Sequence, residues 1–259
     1  MKIACFGAGQ IGSAFIRGVL KSQIVRPENL LVKGGKSGTA EALQAELGFR
    51  LVRNVADLTD CDVVCIATIP SVIPSILKEL KGNLGQNTIV LSLATSPSIA
   101  VLQSALGSHS LVARAIPNTP IQVLAGMTGV SYGKNCQTTH KETVQALLGS
   151  LGQALEVPEE KLGIFGTVAG CGPAFVDVFI EALADASVLN GLSRKEAYKI
   201  VLQMIQGAAT LAQESQTHPA VLKDQVCSPG GSTIRGVAAL EENGFRNAVI
   251  QAITKANIH

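Results

Sequence analysis

The chain has 259 residues, of which 47% are hydrophobic and only 15% charged, and its formal net charge is +2. High hydrophobicity with so small a charge excludes a disordered chain, and scattered Lys and Arg exclude a nucleic-acid binder that works by neutralising phosphates. Charge this sparse cannot coat two exposed domains, so further surface is expected to be buried in an oligomer.

Residues 2–7 form a short apolar run that ends in glycines and predict a first strand. No charged leader with an apolar region and a cleavage site precedes it, so a cytoplasmic protein is expected. Phe15, Ile16, Val19 and Leu20 give helical periodicity over 13–24. Leu30-Leu31-Val32 reads as a second strand, ended by Lys33-Gly34-Gly35-Lys36, and a helix over about 38–47 follows. Short strands are predicted near 50–52, 62–67 and 88–93, with helices at about 71–80 and 97–106 between them. Strands alternating with helices at this spacing indicate a doubly wound, mainly parallel sheet. The run Val63 to Ala67 is apolar throughout, as a strand covered on both faces should be.

The stretch 88–113 carries no acidic or basic side chain except His109. A membrane span needs ~20 mostly apolar residues, whereas Pro97, Gln103 and many Ser and Thr interrupt this one. It reads as two short buried elements, and no membrane segment is expected. More strand-like sequence covers 111–135, and a helix near 138–150 closes the first half. Strand signals stop after about 158. Helices are predicted at 173–190, 194–215, 219–226, 233–243 and 244–256, with Ser193 and Glu196 as a capping box for the second. Ile200, Val201, Leu202, Met204, Ile205 and Leu211 leave that helix apolar most of the way round, so it must be covered on most sides. The predicted architecture is α/β: a Rossmann-type, doubly wound domain over 1–157, then an all-helical domain over 158–259 that is expected to pack in a dimer.

Six cysteines sit mostly in apolar runs and read as small core residues. Cys61 and Cys65 lie four apart with no His beside them, so no metal site is expected.

Gly7-Ala8-Gly9-Gln10-Ile11-Gly12 is a G-x-G-x-x-G that follows a strand and opens a helix, the context such a motif requires. Gly7 permits the tight turn, Gly9 lets a pyrophosphate reach backbone, and Gly12 lets helix pack on strand. A carboxylate after the second strand would select NAD through its ribose hydroxyls. This chain has Lys33, Gly34, Gly35, Lys36 and Ser37 there, which suits a 2′-phosphate, so NADPH is the expected cofactor and NADH the alternative. Two further clusters, Gly170 to Phe175 and Val226 to Ile234, each precede a helix. The free N–H groups of such a terminus, with hydroxyls beside them, suit an anion as well as plain capping.

Together these residues resemble the pyrroline-5-carboxylate reductase family, along essentially the whole chain. The strongest parts are the glycine loop, Arg114 to Pro120, Gly170 to Phe175, His218 to Asp224, and the run Ser228-Pro229-Gly230-Gly231-Ser232-Thr233-Ile234. The resemblance implies reduction of 1-pyrroline-5-carboxylate, a cyclic imine carboxylate, to L-proline by a nicotinamide cofactor. It also implies a homodimer interlocked through the helical domains, with decamers as a higher assembly. Carried over by position, Gly7 to Gly12 would hold the pyrophosphate. Asn54 and the loop Ala67-Thr68-Ile69-Pro70 would touch the cofactor, with Ile69 standing where the family usually has Lys. Ser228, Gly230, Gly231, Ser232 and Thr233 would hold the substrate, Thr233 hydrogen-bonding the ring nitrogen. The alternative is a related reductase acting on another cyclic imine or a hydroxy acid.

Overall fold

In the computed structural model, residues 1–58 and 60–257 are described. Strand β1 (Ile3–Phe6) has no exposed residue, because both faces of the sheet are covered. Its side chains alternate between two cores. Ile3 and Cys5 join one with Phe15 and Val19 of helix α1 (Gln10–Lys21), while Ala4 and Phe6 join the other with Ile73 and Leu77 of α3 (Ile73–Leu80). β1 pairs in parallel with β2 (Leu30–Lys33) on one side and β4 (Val63–Ile66) on the other, with Ile3 opposite both Leu30 and Val63. β3 (Arg50–Leu51), β5 (Ile89–Ser92), β6 (Leu111–Ile116), β7 (Gly126–Tyr132) and β8 (Gly152–Glu156) complete a sheet of order 3-2-1-4-5-6-7-8. β7 runs antiparallel to β6, and β8 runs parallel to β7.

The strand order reverses between β1 and β4. In an open doubly wound sheet, a crevice opens beyond the carboxyl ends of the strands at that point, and ligands bind there. α1 and α2 (Thr39–Leu47) cover one face together with α5 (Thr138–Gly149), and α3 and α4 (Ile99–Leu106) cover the other.

Helix α1 begins at Gln10, three residues before the expected start, because Gly9 serves as its N-cap. β8 and α6 (Leu162–Gly166) had no predicted counterpart. α6 lies on the sheet, where the Phe165 ring covers Gly129 and Gly166 faces Ile116. Compact packing accordingly divides the chain between Gly170 and Cys171, while the expected domain limit at 157 falls just after β8.

The second unit, from Cys171 onward, is helical: α7 (Gly172–Leu189), α8 (Arg194–Ser215), α9 (Pro219–Gln225), α10 (Ser232–Glu242) and α11 (Phe245–Ala256). The capping box forms as expected. Ser193 Oγ accepts from the Glu196 N–H at 3.3 Å, and Glu196 Oε2 accepts from the Ser193 N–H at 3.0 Å. Ala184, Ala197 and Val201 are buried, whereas Leu189, Val178, Ile250 and Leu211 stand exposed. The stretch Glu159–Leu189 is long and apolar enough, by length and composition, to cross a membrane.

Candidate functional site

The glycine motif builds one wall of a cleft of 680 Å³ at the reversal point of the sheet. Gly7 has φ +100°, and a Cβ there would lie 2.5 Å from the Ala67 carbonyl oxygen. Only glycine fits both constraints. Gly12 lies under the turn, where a Cβ would stand 2.3 Å from the Gly7 oxygen. Gly9 differs from both, since a Cβ there would meet nothing within 4 Å. The protein's own packing does not require its missing side chain. The space it leaves opens at the start of α1, where no side chain caps the helix and the first turn holds no acidic residue. A helix terminus of this kind suits an anion.

Ala8, Gln10 and Ile11 extend this wall, and Gly35 and Ser37 reach the cleft from the turn after β2. Ala67, Thr68, Ile69 and Pro70 follow β4 and form the opposite side. The Thr68 hydroxyl is buried there without a hydrogen-bond partner among the described residues. A buried orphan hydroxyl beside an uncapped helix terminus fits a polar ligand such as the pyrophosphate and ribose of a dinucleotide. Val72 and the segment Leu93, Ala94 and Thr95 complete the lining, with no role predicted for them.

Besides Gly12, which lies under the turn, four predicted cofactor residues lie off this lining. Lys33 carries its ammonium to Glu79 of α3 and sits 5.8 Å from the Phe6 ring centre. Gly34 packs against Ala40, where a Cβ would stand 2.5 Å from the Ala40 Cβ. Asn54, on the coil after β3, is exposed and has an interaction of its own. Lys36 is exposed beside the lining residues Gly35 and Ser37.

The predicted substrate residues form a second construction, within the helical unit. Ser228 O accepts from the Gly231 N–H at 3.0 Å, with Pro229 and Gly230 between them and Gly230 at φ +68°. Proline second and a left-handed glycine third is the type II turn signature. The turn ends at Gly231, the N-cap of α10, which offers no side-chain cap. A Cβ on Gly231 would strike Ser228 Oγ at 2.4 Å, so the serine hydroxyl and the helix terminus are held close together. Ser232 and Thr233 are the first two residues of α10 and are exposed, and no hydrogen bond ties the Thr233 hydroxyl to another described residue. Backbone N–H groups, two hydroxyls and an exposed threonine suit a small carboxylate with a polar atom beside it.

Residues 159–259 match the family described as pyrroline-5-carboxylate reductase dimerisation, and residues 2–96 match the family described as NADP oxidoreductase, coenzyme F420-dependent. The chain is 35% identical over 257 residues to the pyrroline-5-carboxylate reductase of Methanosarcina acetivorans, covering 99% of this chain and 95% of that one. It is 37% identical to the enzyme of that name from Escherichia coli, covering 98% and 95%. Among solved structures, the pyrroline carboxylate reductase of Plasmodium falciparum with NADP bound superposes with a TM-score of 0.86 at 33% identity, over 99% of this chain and 95% of that one.

Proposed function

The chain belongs to the pyrroline-5-carboxylate reductase family, and from that premise we propose how its own residues serve the reduction of 1-pyrroline-5-carboxylate to proline by NAD(P)H. When bound, the cofactor would supply a hydride from its nicotinamide C4 to the C=N carbon of the protonated imine, and the resulting amine would take its second proton from water. Gly7 to Gly12 hold the pyrophosphate on the terminus of α1. Gly35, Lys36 and Ser37 take the adenosine side, and Ala67 to Pro70 take the ribose and nicotinamide side. The observation that carries this assignment is Gly9, whose open Cβ position keeps an uncapped helix terminus accessible.

The substrate carboxylate is assigned to the turn Ser228 to Gly231 and the first N–H groups of α10. Thr233 is assigned the hydrogen bond to the ring nitrogen. It favours the orientation in which the imine carbon can meet the nicotinamide. The proton is not assigned to a His, Lys or Asp of this chain.

The exposed apolar helices are assigned to a homodimer, with decamers as further assembly. Asp177, Glu181 and Asp185 recur every four residues of α7 and so share one stripe. Carboxylates on that stripe disfavour lipid as the covering medium, since each costs about 2.5–3.5 kcal/mol at a bilayer centre. Arg194 already pairs with Asp185 at 2.6 Å, and a protein partner can answer Asp177 and Glu181 with cations. Six free cysteines favour a reducing compartment, and the cytoplasm is the proposed location.

Oxidation of NADPH, followed with pyrroline-5-carboxylate and its six-membered homologue, and reduction of NADP+, followed with a 3-hydroxy acid, test the assignment. Turnover with the five-membered imine is expected, and turnover only with another substrate overturns it. Thr233→Val tests the second half. Removal of a hydrogen bond to a group gaining charge is expected to lower kcat/KM by about 10- to 150-fold, with NADPH affinity unchanged. A lower melting point with unaltered kcat/KM per folded enzyme would make Thr233 a helix-start residue and nothing more.

A further inference from the structure

The cleft wall that follows β5 is held from behind by an ion pair between a buried arginine and a half-buried glutamate. Arg114, on β6, is only 7% exposed. Its Nη2 donates to the Thr95 carbonyl oxygen, and its Nη1 donates to Glu159 Oε1 at 2.5 Å. The same Glu159 oxygen accepts from the backbone N–H of Ile99, the first residue of α4, at 2.8 Å. One carboxylate thus fixes the guanidinium and the start of α4, and the guanidinium fixes Thr95. Thr95 is itself exposed and lines the cleft, directly after Leu93 and Ala94.

We propose that Arg114 is a positioning residue for cofactor binding: paired with Glu159, it sets the wall Leu93 to Thr95 against the nicotinamide half of the dinucleotide. The proposal rests on the reading that the cleft holds NAD(P)H. Three physical points carry it. A buried guanidinium is costly unless it is paired; Nε of this one has no partner among the described residues, so Nη1 and Nη2 carry the pairing, and Nη2 directs its bond to the backbone of a cleft-lining residue. Dinucleotides lie across the strand-order reversal. With the phosphates on the β1 turn and the adenosine beside the β2 turn, the nicotinamide half falls over the ends of β4 and β5. Finally, the two acceptors of Arg114 belong to separate segments, which a planar fork reaches together through two nitrogens. A lysine ammonium is a single point and cannot occupy both positions.

The test uses the full chain with three substitutions, Arg114→Lys, Glu159→Gln and Glu159→Ala. NADPH affinity is measured without substrate by fluorescence titration, beside steady-state kinetics, thermal melting and amide hydrogen exchange over residues 93–97. Arg114→Lys is expected to weaken NADPH binding at least about tenfold, the scale of one charge-assisted hydrogen bond, and to speed exchange in that segment. Glu159→Gln keeps a carbonyl oxygen for Arg114 and Ile99 and is expected to stay within about threefold of the parent. Glu159→Ala removes that acceptor and is expected to follow Arg114→Lys. It also decides the matter if the lysine variant does not fold. Lower melting points with NADPH affinity, exchange and kcat/KM all unchanged would show a purely structural ion pair and overturn the proposal. A parent enzyme that binds no NADPH would instead overturn the reading of the cleft.

Discussion

Two lysines flank the glycine pair after β2, and their surroundings separate their roles. Lys33 is engaged by Glu79, so moving it to a phosphate would break an existing pair. Lys36 is exposed next to Gly35 and Ser37 and has no such engagement among the described residues. It is the cation available to a 2′-phosphate. Lys36→Ala is expected to raise the KM for NADPH about 3- to 10-fold and to leave that for NADH unchanged, since a partly exposed charge pair is worth about 1 kcal/mol. Lys33→Ala should change neither KM. The converse substitution belongs at Gly35, where a new Cβ meets nothing, and not at Gly34, where it would press on Ala40. Gly35→Asp should repel the 2′-phosphate and raise the KM for NADPH far more than that for NADH. A parent with the lower KM for NADH would sink the assignment. The glycine motif was legible in the sequence because its chemistry is local to six residues. The division of labour between the lysines was not, because it depends on Glu79, which lies 46 positions from Lys33.

At the scale of elements, most helices and strands announced themselves by periodicity, and the two that did not share a cause. β8 is a half-exposed edge strand, so its five residues carry no run of apolar side chains. α6 is a five-residue turn with two glycines, and it is specified by tertiary fit instead of propensity. The fit is specific: a Cβ on Gly129 would lie 2.6 Å from the Phe165 ring. Gly129→Ala is therefore expected to destabilise the first unit by about 1–3 kcal/mol through overpacking, seen as a lower urea midpoint. Combining it with Phe165→Leu should recover part of that loss, because the pair is in contact and its effects are not additive. Equal losses with and without the second change would mean that the ring is not what the new methyl meets.

At the scale of the whole molecule, the helical unit buries few side chains of its own, and α8 presents Ile200, Leu202, Met204 and Leu211 to the outside. The all-round apolar character of this helix was readable in the sequence. Which residues the chain covers unaided was not, since that depends on packing between helices distant in sequence. Met204 is 48% exposed, so a carboxylate there costs a monomer little, whereas in a covered interface it costs several kcal/mol. Native mass measurements at micromolar concentration are expected to show at least a dimer for the parent, and dissociation or insolubility for Met204→Asp. An unchanged assembly for that variant would place the contact elsewhere than on this part of α8.

The sheet order has a consequence for biosynthesis. β1 is made before either of its neighbours, yet it occupies the middle of the sheet between β2 and β4. Its partner Val63 is sixty positions beyond Ile3. At about 5–20 residues per second, translation takes roughly 3–12 s to cover that distance. Throughout that interval the apolar segment Ile3 to Phe6 has no complete place to dock. The nascent chain therefore offers a short hydrophobic handle near the ribosome, well suited to capture by a chaperone until β4 emerges.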